Sequence, residues 1–351
     1  MLASIRQVLV RACEYCEVNA KLGFCASLAW YVGVNRLMQI LGALTPERFL
    51  ADYWQRRPLL VRGSLADYLA PISADELAGL ALDEDVESRL VITGDTARPW
   101  QLRYGPFAAE DFTQLSGRDW TLLVQAVDLW CPEVAELYTY FDFLPRWRTD
   151  DIMVSYAAPG GSVGPHFDQY DVFLVQVEGH RRWRIGEVCD ASTPLLAGTD
   201  LQIIDHFEAT EDWLLGPGDM LYLPPGVAHW GVAEDASMTF SIGFRSPLLS
   251  DMLADLAVEL SAQGLDQHYR DPRLVPAMAN TRIDPAFITH AKNQLLKLLD
   301  DDELVADWFA RFMTAPKYPD LLKTSEERRQ ANVMGRDYSN GELVDQEQGE
   351  L

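Results

Sequence analysis

The stretch GPHFDQYDVFLVQVEGHRRWRIG, residues 164–186, decides how the chain is read. It opens on a Gly164-Pro165 turn, runs as a strand over Tyr170–Val177, turns again at Glu178-Gly179 and resumes as a strand over Arg182–Ile185. Similar short runs rich in β-formers lie on either side: Ile152–Ala158, Asp212–Leu215, Met220–Leu223 and Met238–Phe244. Gly and Pro clusters separate several of them. Short strands punctuated in this way predict an all-β barrel or sandwich over residues 150–245.

Within that stretch, His166 and Asp168 stand at i and i+2. In extended chain these positions share a face, so both side chains can aim at one point. About sixty residues on comes Gly218-Asp219-Met220-Leu221-Tyr222-Leu223-Pro224-Pro225-Gly226-Val227-Ala228-His229. A Gly-Asp turn starts a strand there and Pro-Pro-Gly ends it, presenting His229 at a strand end. Two imidazoles and one carboxylate on one face leave coordination positions open, which is the donor set of non-haem Fe(II) oxygenases. His-x-Asp is a common tripeptide; the second segment is what gives it weight. His180, His206, His268 and His290 have no such partners and read as surface or structural residues.

An oxygenase of this kind needs a two-electron reductant. A 2-oxoglutarate would chelate the iron through its keto acid end and leave a distal carboxylate to be paired, and an arginine can hold that group bidentately. Arg181, Arg182 and Arg184 follow directly on the strand after His-x-Asp. Alternation puts Arg182 and Arg184 on one face and Arg181 and Trp183 on the other, and either face could be the inner one.

Outside the β-rich middle, Thr45-Pro46-Glu47 predicts a helix start. Ser73 caps a second helix, Asp75 to Leu82, and Trp120 to Trp130 reads as a third, amphipathic one. Ser246-Pro247 reads as another cap-plus-Pro start, after which the chain turns helical, with Leu249, Met252, Leu253, Leu256 and Leu260 on one stripe. The last 35 or so residues are polar, without a sustained apolar period, and read as a mobile tail.

The chain has 351 residues, with 29 Lys+Arg against 53 Asp+Glu, a net charge of −24. An apolar content of 48% excludes a mainly disordered chain. The acidic surplus disfavours nucleic-acid binding through general positive charge and favours a basic partner. Five cysteines (Cys13, Cys16, Cys25, Cys131 and Cys189) make no disulfide framework, and a reducing cytoplasm fits. The apolar run Leu22 to Val34 is too short to span a bilayer, so no membrane association is expected.

From about Met38 to Ala315 the chain resembles the JmjC-type ribosomal oxygenases. The segments that carry the resemblance are Tyr53-Trp54-Gln55-Arg56-Arg57-Pro58, GRDWTLLVQAV (117–127), PGGSVGPHFDQYDVF (159–173), VEGHRRWRIG (177–186), GDMLYLPPGVAH (218–229) and FSIGFRSP (240–247). The resemblance implies a mainly β fold with helices: a double-stranded β-helix of the cupin type, flanking N-terminal helices, and a C-terminal helical dimerisation region. It implies Fe(II) on His166, Asp168 and His229, 2-oxoglutarate on Arg181, and dioxygen as co-substrate. It further implies a homodimer hydroxylating an arginine side chain of large-subunit ribosomal protein L-sixteen. Asp151, Tyr170 and Asp171 are candidates for the substrate pocket, and Gln169 with Tyr170 for orienting the ligands. Histidine hydroxylation and N-methyl-lysine demethylation share the scaffold, and a non-enzymatic cupin is the alternative from another class.

The expected organisation is an atypical appendage over 1–37, an oxygenase domain over 38–246 with its barrel core at about 100–246, and helices over 247–315. A tail over 316–351 follows, too short for the winged-helix domain found at this point in the family.

Overall fold

The computed structural model describes residues 40–95, 98–264, 268–274, 283–319, 321 and 329–344. The expected appendage over 1–37, with Cys13, Cys16, Cys25 and the run Leu22 to Val34, lies outside the described residues. Among the described residues no helix is long and apolar enough to cross a membrane.

Fourteen strands are described. They are β1 (Leu59–Val61), β2 (Ser88–Ile92), β3 (Gln101–Tyr104), β4 (Trp120–Val124), β5 (Thr149–Ala157), β6 (Asp171–Glu178), β7 (Arg181–Val188), β8 (Glu211–Leu215), β9 (Met220–Leu223), β10 (Val227–Ala233), β11 (Ser237–Phe244), β12 (Gln330–Val333), β13 (Arg336–Ser339) and β14 (Glu342–Leu343). An eight-stranded antiparallel sheet runs in the order β1-β9-β6-β11-β5-β4-β2-β3, and a three-stranded sheet in the order β10-β7-β8. Side chains from both sheets meet in one cluster: Val172, Leu174, Leu221 and Leu223 from the larger, Trp183, Ile185, Leu215 and Val227 from the smaller. This is the interior of a cupin-like barrel, and the expected mainly β architecture with helices is what forms.

β6 is buried on both faces, which explains its unbroken apolar run. Val172 and Leu174 point into the barrel, whereas Phe173 and Val175 join a second core on the outer face of the sheet. Phe49 of the helix Pro46–Asp52, Leu77 of the helix Ala74–Leu80 and Phe141 fill that outer core. Both helix starts follow the expected chemistry. Thr45 accepts from the Arg48 N–H, and Ser73 with Glu76 forms a capping box.

Three expectations require correction. Trp120 to Trp130 is not a helix: Trp120–Val124 is β4, held between β2 and β5, and only Val127–Trp130 is helical. A short apolar run buried on both sides carries no period that tells strand from helix. The helix placed after Ser246-Pro247 starts at Leu249, with no side-chain cap. The tail is not structureless, because β12, β13 and β14 form a third sheet packed on the helix Asp302–Thr314. Tyr338 is buried there and its hydroxyl donates to Asp307 at 2.6 Å. Asn340-Gly341, both at positive φ, makes the tight turn between β13 and β14.

The leucine stripe is divided by the packing. Met252, Leu256 and Leu260 meet Leu304 and Trp308 of the helix Asp302–Thr314, whereas Leu249 and Leu253 are 81% and 65% exposed.

Candidate active site

Gly164 starts the loop that delivers His166 and Asp168. Its φ of +83° is a left-handed conformation that favours glycine, and a Cβ here would meet Ile203 at 2.8 Å. Its N–H donates to Ser162 Oγ at 3.0 Å. His166 then pairs with His229 across an isolated bridge, the two residues exchanging N–H to carbonyl bonds of 3.0 and 2.8 Å. His229 is not beyond a strand end, as the Pro-Pro-Gly sequence led one to expect, but inside β10. The register of β10 on β7 shifts between Val227 and His229. Such a bulge re-aims the side chain next to it.

The fold therefore brings the three predicted ligands together. One donor atom from each of His166, Asp168 and His229 lies within 4.8 Å of the others. The imidazole centroids are 4.3 Å apart, and His229 Nε2 is 3.6 Å from Asp168 Oδ2. Each ring places Nδ1 at 2.9 Å from a carbonyl oxygen two residues before it, Gly164 for His166 and Val227 for His229. A carbonyl can only accept, so Nδ1 carries the proton and Nε2 keeps its lone pair for a metal. Burial, with His166 alongside, pushes His229 down to about 4, so this imidazole is neutral at physiological pH, as a ligand must be.

Arg181 begins β7, in which Arg181, Trp183 and Ile185 are buried and Arg182 and Arg184 are not. Arg182 and Arg184 instead pair outside with Asp212, and Arg182 also with Glu234. The alternation that the sequence left open thus resolves with Arg181 inward. Its guanidinium stacks near the Trp183 ring at 5.1 Å, and the opposing strand supplies Gly231, where a Cβ would meet Arg181 Nε at 2.8 Å. Arg181 is 3% exposed, yet its single described hydrogen bond is to Ser155 Oγ at 3.4 Å, and Nε has no partner. Burial alone lowers its pKa to about 10, so the guanidinium remains charged. A buried, charged and under-bonded guanidinium is a receptor for an anion.

His166, Asp168, His229 and Arg181 line one cavity of about 440 Å³. Sequence reasoning missed several other residues of its wall. Met153 and Ser155 come from β5, Thr239 and Ser241 from β11, and Arg89, Val91, Leu102 and Tyr104 from β2 and β3. The i, i+2 alternation within the predicted strands could have grouped the first two pairs.

Among the pocket candidates, Tyr170 lines the cavity and faces Asp168. Asp171 does not line it. Its buried carboxylate accepts from Tyr222 Oη at 2.6 Å and Gln55 Nε2 at 3.0 Å and pairs with Arg148 at 3.3 Å, tying the N-terminal region to the start of β6. Asp151 is buried and bound by Gln125 Nε2 at 2.8 Å and Lys317 Nζ at 3.2 Å. Trp230 donates from Nε1 to Ser162 Oγ at 3.0 Å and lies under Arg184, a packing role. His180 and His206 sit on exposed Asp partners, and His290 on the Arg270 carbonyl.

Residues 136–252 match the family model described as a JmjC domain. The chain is 40% identical over 271 residues to the ribosomal protein uL16 3-hydroxylase of Escherichia coli, covering 77% of this chain and 71% of that one. It is 46% identical over 211 residues to a probable ribosomal oxygenase of Haemophilus influenzae, covering 60% of this chain and about half, 52%, of that one. Among solved structures it is similar to YcfD, a ribosomal oxygenase from E. coli, with a TM-score of 0.77 at 36% identity over 86% of both chains. It is also similar, at a TM-score of 0.75 and 36% identity, to YcfD in complex with cobalt and 2-oxoglutarate. With the barrel, the convergent His-Asp-His cluster and a relative of this identity and coverage, the chain belongs to the JmjC-type ribosomal oxygenase family.

Proposed function

We propose that this protein is an Fe(II)- and 2-oxoglutarate-dependent oxygenase that hydroxylates an arginine side chain of large-subunit ribosomal protein L-sixteen. In this reading, His166, Asp168 and His229 hold the iron through two Nε2 atoms and a carboxylate oxygen. Arg181 holds the distal carboxylate of 2-oxoglutarate. When bound, the ferrous ion and the keto acid supply the power to insert one atom of dioxygen into an unactivated C–H bond, with release of succinate and carbon dioxide.

The chain's own part is positioning and the exclusion of water. The Gly164 and Val227 carbonyls fix both rings in one tautomer and orientation. Trp183, Val172 and Leu174 make the apolar wall that shields the site. The observation that carries the proposal is the buried, under-bonded Arg181 beside the three donors. A second anionic ligand is what this combination requires, and a plain cupin has no use for it. The acidic excess, a net charge of −24, suits a basic ribosomal protein as substrate. The test is mass spectrometry of an L-sixteen peptide incubated with protein, iron, ascorbate and 2-oxoglutarate. A gain of one oxygen atom on the arginine peptide without release of formaldehyde is expected; methyl loss with formaldehyde would point to demethylation.

The organisation proposed with this function is an oxygenase domain over 38–246 and a helical dimerisation region over 247–315, in a cytoplasmic protein. The packing refines which leucines serve each purpose. Leu253→Asp, on the exposed side, should give monomers in sedimentation with the far-ultraviolet dichroism of the parent. Leu256→Asp puts a carboxylate between Leu304 and Trp308 and should cost roughly 3 kcal/mol of stability. A Leu253→Asp protein that sediments unchanged would remove this interface.

A further inference from the structure

β3 ends the eight-stranded sheet and, among the described residues, pairs only with β2. The phase of that ladder is fixed by the Gly105 N–H, which donates to the Ser88 carbonyl at 2.9 Å. Bonded and non-bonded pairs alternate in an antiparallel ladder, so the N–H and C=O groups of Leu102 and Tyr104 turn away from β2, toward the open edge. The side chains of these two residues line the active-site cavity beside Val91 and Arg89, their partners in register. Tyr104 is 67% exposed. Within Gln101–Tyr104 there is no proline, lysine or bulge to guard this short edge, and its one charged side chain, Arg103, is engaged by Asp111. Outward-facing backbone groups and a wall continuous with the cavity therefore coincide at Leu102 and Tyr104.

We propose that the substrate polypeptide docks as an added strand on the free edge of β3, through an extended stretch that flanks its target residue. This rests on the oxygenase reading above, because the cavity must then admit a side chain from a protein. A strand added to a sheet edge gains main-chain hydrogen bonds whatever its sequence, and alternate side chains gain specificity. Here one face of the added strand meets Leu102 and Tyr104. On the other face Arg103 is already paired with Asp111, so it does not repel a basic segment. Asp200 on the cavity rim supplies a carboxylate toward which such a segment is drawn.

The test uses the unaltered enzyme and synthetic L-sixteen peptides centred on the target residue, each N-methylated at one flanking position. N-methylation removes one main-chain donor and leaves the side chain in place. Docking on β3 predicts that methyl groups at alternate positions of one flank raise the peptide KM about tenfold each, with the intervening positions nearly silent. A second variant examines the enzyme side. Leu102→Pro deletes a donor aimed at the open edge, and should raise the peptide KM while the 2-oxoglutarate KM stays fixed. A flat N-methyl profile overturns the proposal. So does a Leu102→Pro protein whose peptide KM is unchanged but whose oligomeric state shifts, since the edge then serves a second copy. No hydroxylation of the unmethylated peptide would overturn the oxygenase reading itself, a result distinct from a flat profile on an active enzyme.

Discussion

Replacing His166 with alanine should abolish succinate formation from 2-oxoglutarate, by ~10³-fold or more, equivalent to ~4 kcal/mol of transition-state stabilisation. The variant should also fail to bind Mn²⁺ by calorimetry. The geometry separates this loss from misfolding. His166 is tied to His229 by main-chain bonds in both directions, which need no imidazole. Its ring makes one further bond, to the Gly164 carbonyl, at a partly exposed position. Far-ultraviolet dichroism and the melting temperature of the metal-free variant should therefore match those of the parent. Persistent turnover in this variant would strike His166 from the ligand set and leave two donors, too few to define the centre.

The same residues show how far the sequence could be read. Period two in the extended segment before the predicted strand was enough to aim His166 and Asp168 at one point, because alternation alone fixes that relation. His229 was placed in reach of them, but its strand was missed. Pro224-Pro225-Gly226 marks a break whether or not pairing resumes one residue later, and here β10 resumes at Val227 against β7. For Arg181 the alternation defined two faces without ranking them. The choice depends on which face meets the barrel interior, a tertiary fact, and the decisive partner is a glycine on another strand, Gly231. The outer wall formed by β2 and β3 was not legible at all: Ser88–Ile92 and Gln101–Tyr104 are short, and Arg89, Arg103 and Tyr104 dilute their apolar alternation. In the tail, by contrast, the sequence does carry a signal. Asn340-Gly341 is a strong hairpin dipeptide, and the strands it joins are polar because the small sheet rests on a helix instead of filling a core.

Arg181→Met should raise the KM for 2-oxoglutarate about a hundredfold and at the same time leave the ligand-free protein as stable as the parent, or more stable. The two effects share one cause. In the free protein the guanidinium is 3% exposed, makes a single long hydrogen bond to Ser155, lies against the Trp183 ring and leaves Nε bare, so the fold carries a desolvated charge with little compensation. The lowering of its pKa to about 10 has burial as its sole cause and reports the same penalty. Methionine keeps much of the stem that packs against Trp183 and removes the charge, so the apo protein loses a cost and little packing. Once the distal carboxylate arrives, the balance reverses. A bidentate pair of charge-assisted bonds forms in a dry site, each worth about 1.5–3 kcal/mol, and the variant forgoes them. Thermal melts with and without 2-oxoglutarate read both halves: the ligand-induced rise should vanish in Arg181→Met, while the Mn²⁺-induced rise should persist. Arg181→Lys, which keeps a charge but not the planar fork, should fall between the two. Were Arg181→Met to melt well below the parent or to lose Mn²⁺ as well, the guanidinium would be holding the barrel together, and the second anion site would have to be sought elsewhere.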